Sequence, residues 1–124
     1  MTQPNPVRWF EIYVQDMARA RRFYETVLDT KLERLDSGDV EMWAFPSAQD
    51  QYGVGGTLVK VDGVRSGGNS TLVYFGCDDC SLEAGRIQGA GGTVQRERMS
   101  IGAYGYVVLA FDTEGNMIGL HSMR

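Results

Sequence analysis

Short runs of aromatic and β-branched residues alternate along the chain with two amphipathic stretches, and the alternation divides it into elements. Residues 7–14, Val-Arg-Trp-Phe-Glu-Ile-Tyr-Val, have the composition of a strand. Directly after it, Met17, Ala20, Phe23, Tyr24, Val27 and Leu28 recur at the spacing of one helix face, with Asp16 placed to cap the first free backbone N–H groups. Three strands are expected next, over residues 31–36, 40–45 and 55–61. Ser37-Gly38-Asp39 suits a hairpin between the first two, and the polar loop 46–53 precedes the third. Residues 62–70 end in four consecutive turn formers and read as a connector.

The order then repeats. A strand over 71–77, an Asp-capped helix over 80–89 and strands over 93–99, 104–111 and 117–122 are expected, so that Tyr13-Val14-Gln15-Asp16 matches Phe75-Gly76-Cys77-Asp78. The fold class is therefore α+β, a single domain over 1–124 built of two βαβββ modules. Module one covers about 7–61, the connector about 62–70 and module two about 71–122. Two copies of about 60 residues are too few for a solenoid and point to a pseudo-symmetric fold with a central cleft.

Composition narrows the functional classes. At 124 residues and 43% hydrophobic content, with six Tyr, five Phe and two Trp, the chain can bury one core without metal or disulfide staples. Twelve basic against sixteen acidic residues leave a net charge of −4, which argues against a nucleic-acid partner, since phosphate backbones are gripped by clustered Lys and Arg. No apolar run approaches the roughly 18–20 residues of a membrane helix and the polar start is unlike a signal peptide, so no membrane partner and a cytoplasmic location are expected. Cys77 and Cys80 form Cys-Asp-Asp-Cys, but a zinc knuckle needs a second ligand pair and the intervening acids disfavour thiolates. Both read as structural. The Gly-rich pieces 53–56 and 102–105 precede no helix, which makes them poor phosphate loops.

Trp9-Phe10-Glu11-Ile12-Tyr13-Val14, followed by Asp16-Met17-Ala18-Arg19-Ala20-Arg21-Arg22-Phe23-Tyr24, resembles the first strand and "D-x-x-R-A-x-x-F-Y" helix of the vicinal oxygen chelate superfamily. That group includes glyoxalase I, bleomycin-resistance proteins, fosfomycin-resistance enzymes and extradiol dioxygenases. Phe111-Asp112-Thr113-Glu114-Gly115-Asn116-Met117-Ile118-Gly119-Leu120 is similar to its "F-x-D-P-x-G-N-x-I-x-L" ending, with Thr113 in place of Pro. The resemblance implies an open eight-stranded barrel-like sheet, a homodimer, and a metal held by one ligand from the first and last strand of each module. Those positions fall on Trp9, within 54–60, on Leu72 give or take one residue, and on Gly119, and none offers His, Asp or Glu. No metal and no cofactor is expected at the usual place.

The remaining candidates are read from residue type and strand alternation. Glu11 shares a face with Trp9 and His121 with Gly119, so a carboxylate–imidazole pair is a candidate for acid–base catalysis. Trp9, Tyr13, Trp43, Tyr74 and Tyr104, with Leu72 and Gly119 at positions that the resemblance implies, are candidates for lining the cleft, which would suit a flat, partly apolar small-molecule ligand. The leading expectation is a metal-free member that binds a small, partly aromatic molecule. The alternative is a lyase or isomerase related to lactoylglutathione lyase, using Glu11 and His121 or an unrecognised metal site.

Overall fold

The computed structural model describes residues 5–124. Its two modules repeat one plan. Module one runs β1 (Trp9–Tyr13), α1 (Met17–Val27), β2 (Glu33–Arg34), β3 (Glu41–Ala44) and β4 (Gly55–Lys60). Module two runs β5 (Tyr74–Gly76), α2 (Cys80–Ile87), β6 (Thr93–Ser100), β7 (Tyr106–Phe111) and β8 (Met117–Ser122). The eight strands form two open four-stranded sheets, ordered β1-β4-β3-β2 and β5-β8-β7-β6. In each, the first strand of the module is an edge and pairs parallel with the last. No helix among the described residues is long and apolar enough to cross a membrane.

Several expected elements are shorter than their hydrophobic pattern. Pairing of the second strand is limited to two residues, and β5 begins at Tyr74 because Asn69 Nδ2 donates to the Thr71 carbonyl at 2.6 Å and holds that segment in a turn. Residue 104 lies in a 3-10 turn, Gly102–Tyr104, rather than on a strand. Gly102 and Gly105 adopt φ of 73° and 102°, and Ile101 N donates to the Gly105 carbonyl to close the turn. The cap of α2 is Asp79, which accepts from Ser81 N, and not Asp78, the residue aligned with Asp16.

One core serves both modules. Ile12, Val14 and Leu58 of the first sheet and Val108, Ala110, Ile118 and Leu120 of the second close on the apolar faces of the two helices. Phe10, Tyr24, Phe45 and Phe75 join across the seam with ring centroids 5.3–6.1 Å apart.

The seam is also tied by polar groups. Glu114, on the β7–β8 turn, has a fully buried side chain and accepts from Gln15 N at 2.8 Å and Asp16 N at 2.9 Å. Arg19 adds Nε at 2.7 Å and Nη2 at 3.0 Å, and Thr113 Oγ1 donates at 2.9 Å. Burial alone would raise the Glu114 pKa, but the bonds from Arg19 and the two backbone N–H groups outweigh it and hold it at about 2. Nearby, Tyr24 Oη donates to Asp112 Oδ2 at 2.5 Å and Asn116 Nδ2 to the Tyr13 carbonyl at 2.9 Å.

Because the folded pKa of Glu114 lies below the ordinary 4.5, its stabilisation is complete above that value and is lost as pH falls towards 2. Glu114→Gln is expected to cost roughly 2–4 kcal/mol at pH 7 in urea unfolding. The difference from wild type should close between pH 4.5 and 2; a constant difference across that window would contradict the ion-pair origin.

Candidate functional site

Strand register decides which candidates share a surface. Trp9, Glu11 and Tyr13 alternate on one face of β1, and their partners Gly55, Thr57 and Val59 continue that face on β4. On the second sheet Tyr74 pairs with Gly119 and Gly76 with His121. Trp43 belongs to the opposite, helix-facing side. It pairs with Leu58, and its ring lies 3.5 Å under the Arg21 guanidinium of α1. Leu72 is half-buried and precedes β5, while the Tyr104 ring stands 76% exposed on its turn.

The two modules share an arrangement on this face, and Phe10 repeats it over Gly56 on the opposite, core-facing side of β4. A Cβ built on Gly55 would come within 3.0 Å of the Trp9 ring, and one on Gly119 would overlap the Tyr74 ring. Each aromatic side chain therefore lies across a glycine on the neighbouring parallel strand. Trp9 and Gly119 are two of the positions where the resemblance implies a chelating side chain and Gly55 lies in the segment 54–60 expected to hold a third, while Tyr74, which pairs with Gly119, lies two residues beyond Leu72, the fourth. The residues present do not fit the superfamily's chelate: Trp9, Gly55, Tyr74 and Gly119 supply no imidazole or carboxylate, and at Gly119 the Tyr74 ring fills the space that such a side chain would need. Thr57 Oγ1, buried and without a partner, is a single neutral hydroxyl. Among the described residues no group of three or more His, Cys, Asp and Glu gathers elsewhere.

Glu11 and His121 are on different sheets, each bonded within its own module. Glu11 Oε1 accepts from Tyr13 Oη at 2.9 Å, which raises the phenol pKa. His121 Nε2 lies 2.7 Å from the Tyr104 carbonyl, an acceptor only, so Nε2 carries the hydrogen and Nδ1 is the basic nitrogen. Cys77 and Cys80 are free thiols; burial, followed by the Glu83 carboxylate, pushes Cys77 up to about 12.

Between the β1 and β5 edges lies a groove of about 650 Å³, closed by the end of α1 and by α2. Phe10, Phe45, Tyr52, Tyr74, Phe75 and Glu83 are among its walls, and only Tyr74 was a sequence candidate. An adjoining hollow holds Trp9 and shares the Tyr52–Val54 wall with it. Tyr52 is a lone large aromatic in an otherwise polar loop, a signal that could have marked it.

The fold and this seam define a paired-module βαβββ protein. A model of the Glyoxalase/Bleomycin resistance protein/Dioxygenase superfamily matches residues 7–120, and the chain belongs to that superfamily. Glyoxalase I from Zea mays superposes with a TM-score of 0.74 at 22% identity, covering 98% of this chain and 47% of that one. The chain thus spans about half the length of the maize enzyme. TnmS3, an antibiotic binding protein from Streptomyces sp. CB03234, superposes with a TM-score of 0.68 at 22% identity over 98% of both chains. A glyoxalase/bleomycin resistance protein from Albidiferax ferrireducens T118 gives 0.66 at 19% identity, covering 94% of this chain and 98% of that one. These likenesses concern the fold. Among curated proteins, none matches the sequence.

Gly119→Ala is expected to displace the Tyr74 ring and cost about 1–3 kcal/mol in urea unfolding. Tyr74→Ala should relieve most of that penalty, whereas additive losses in the double variant would contradict the ring-on-glycine contact. With its pKa near 12, Cys77 should resist alkylation at pH 8 until the chain unfolds; labelling at the rate of a free thiol would contradict its burial.

Proposed function

We propose that the protein binds a small, partly aromatic molecule in the cleft between its modules, without the superfamily's metal and without turnover, as a homodimer. The observation that carries this reading is the pair of rings, Trp9 on Gly55 and Tyr74 on Gly119, where chelating side chains would stand. Each ring rests against its glycine and each residue is nearly half exposed, at 46% for Trp9 and 47% for Tyr74, which suits them to stacking. Antibiotic binding by TnmS3 is a precedent for ligand capture on this fold. The acid–base alternative needs Glu11 against His121, and the partners each holds within its own module favour binding over catalysis.

A thermal-shift panel of uncharged planar aromatics such as 2-naphthol and quinoline tests the reading. At least one compound should raise Tm saturably; about 2.7 kcal/mol is expected at a hundredfold excess over Kd. Trp9→Ala should lose most of that shift and Trp43→Phe should keep it. No stabilisation by any member, or consumption of a bound compound above the buffer rate, would overturn it. Light scattering should give twice the chain mass, and a monomer at working concentration would contradict the dimer.

A further inference from the structure

Glu83 is a carboxylate without a counter-charge at the wall of an aromatic groove. Its Oε1 is buried and accepts no hydrogen bond, and among the described residues no Lys or Arg forms an ion pair with it. The nearby Cys77 thiol, which donates to the Phe75 carbonyl at 3.6 Å, is a neutral neighbour of the carboxylate and supplies no counter-charge. Arg86, one turn further along α2, is spent on the Val27 carbonyl at 3.0 Å. Leaving a carboxylate partly desolvated and unpaired is unfavourable, and a cation delivered to it recovers that cost.

The rest of the groove selects what kind of cation. Phe10, Phe45 and Phe75 form a continuous aromatic floor, with Tyr52 and Tyr74 at the rim, and among the described residues Glu83 is the only charged one lining it. Aromatic faces attract cations and stack on planar ones. A volume of about 650 Å³ suits one small organic molecule. We propose that the inter-module groove takes a planar organic cation, an aromatic amine or amidine, with the Glu83 carboxylate as its counter-ion. This rests on the reading that the cleft binds a small aromatic molecule, and adds the charge that the molecule carries.

Fluorescence titration with proflavine, a planar cation, and anilinonaphthalene sulfonate, an aromatic anion, tests this in about 150 mM salt, which screens the chain's overall negative charge. Glu83→Gln removes the charge at constant shape. Gly76→Leu narrows the groove from its β5 edge, because Gly76 is among the walls, a Cβ there meets nothing within 4 Å and its φ lies outside the left-handed region. Wild type should bind proflavine saturably and more tightly than the anion, with affinity at least tenfold weaker in each variant. Equal proflavine affinity in wild type and Glu83→Gln, or an anion bound as tightly as proflavine by wild type, would overturn the charge assignment while leaving aromatic binding intact. Should Glu83→Gln fail to fold, the comparison of the two dyes on wild type and Gly76→Leu decides. Loss on Trp9→Ala alone would move the dye to the strand platform and overturn the groove. If neither these dyes nor the uncharged panel bind, both readings fall.

Discussion

A single carboxylate organises the meeting of the two modules. Glu114 leaves the second sheet on the β7–β8 turn and occupies the start of α1 in the first module, where two backbone N–H groups and a guanidinium converge on it. Unpaired, a carboxylate in that position would open the seam; paired, it pins the end of β1 to the start of β8. Tyr24 with Asp112 and Asn116 with the Tyr13 carbonyl extend the same contact. The segment that runs from the end of β1 into α1 and the β7–β8 turn, 88 to 103 residues apart, are thus each other's hydrogen-bonding partners.

With the seam held this way, the edges β1 and β5 come alongside, and the groove between them is lined partly by residues that also pack against the core. Phe10 and Phe75 do so on strands where Trp9, Glu11 and Tyr74 face the other way. On that other face the two modules share a feature, an aromatic ring resting against a glycine. Stacking and charge pairing are the chemistry proposed for the cleft on that basis.

Much of this architecture is legible in the chain itself. The two βαβββ series, the Asp16 cap and the apolar face of α1 follow from local periodicity, which tertiary packing here reinforces. Local pattern failed where partners decide the outcome. Trp43 and Trp9 are both strand aromatics, and only the pairing of Trp43 with Leu58 reveals that it faces α1. Tyr104 follows an apolar pattern, but the left-handed glycines on either side turn it out of the sheet. Glu83 sits in an ordinary helix turn and acquires its setting only when the other module closes over it, a juxtaposition that no spacing within either module encodes.

The claim on which the functional reading depends is that aromatic rings on glycines have replaced the chelate. Elemental analysis by inductively coupled plasma mass spectrometry tests it most directly. The protein would be produced in medium supplemented with iron, manganese, nickel and zinc, and purified without chelator. The ring-on-glycine arrangement predicts divalent metal far below one equivalent per chain, unchanged in Trp9→Ala. A content near one equivalent per chain would mean that donors gather at the cleft after all, and would contradict the replacement.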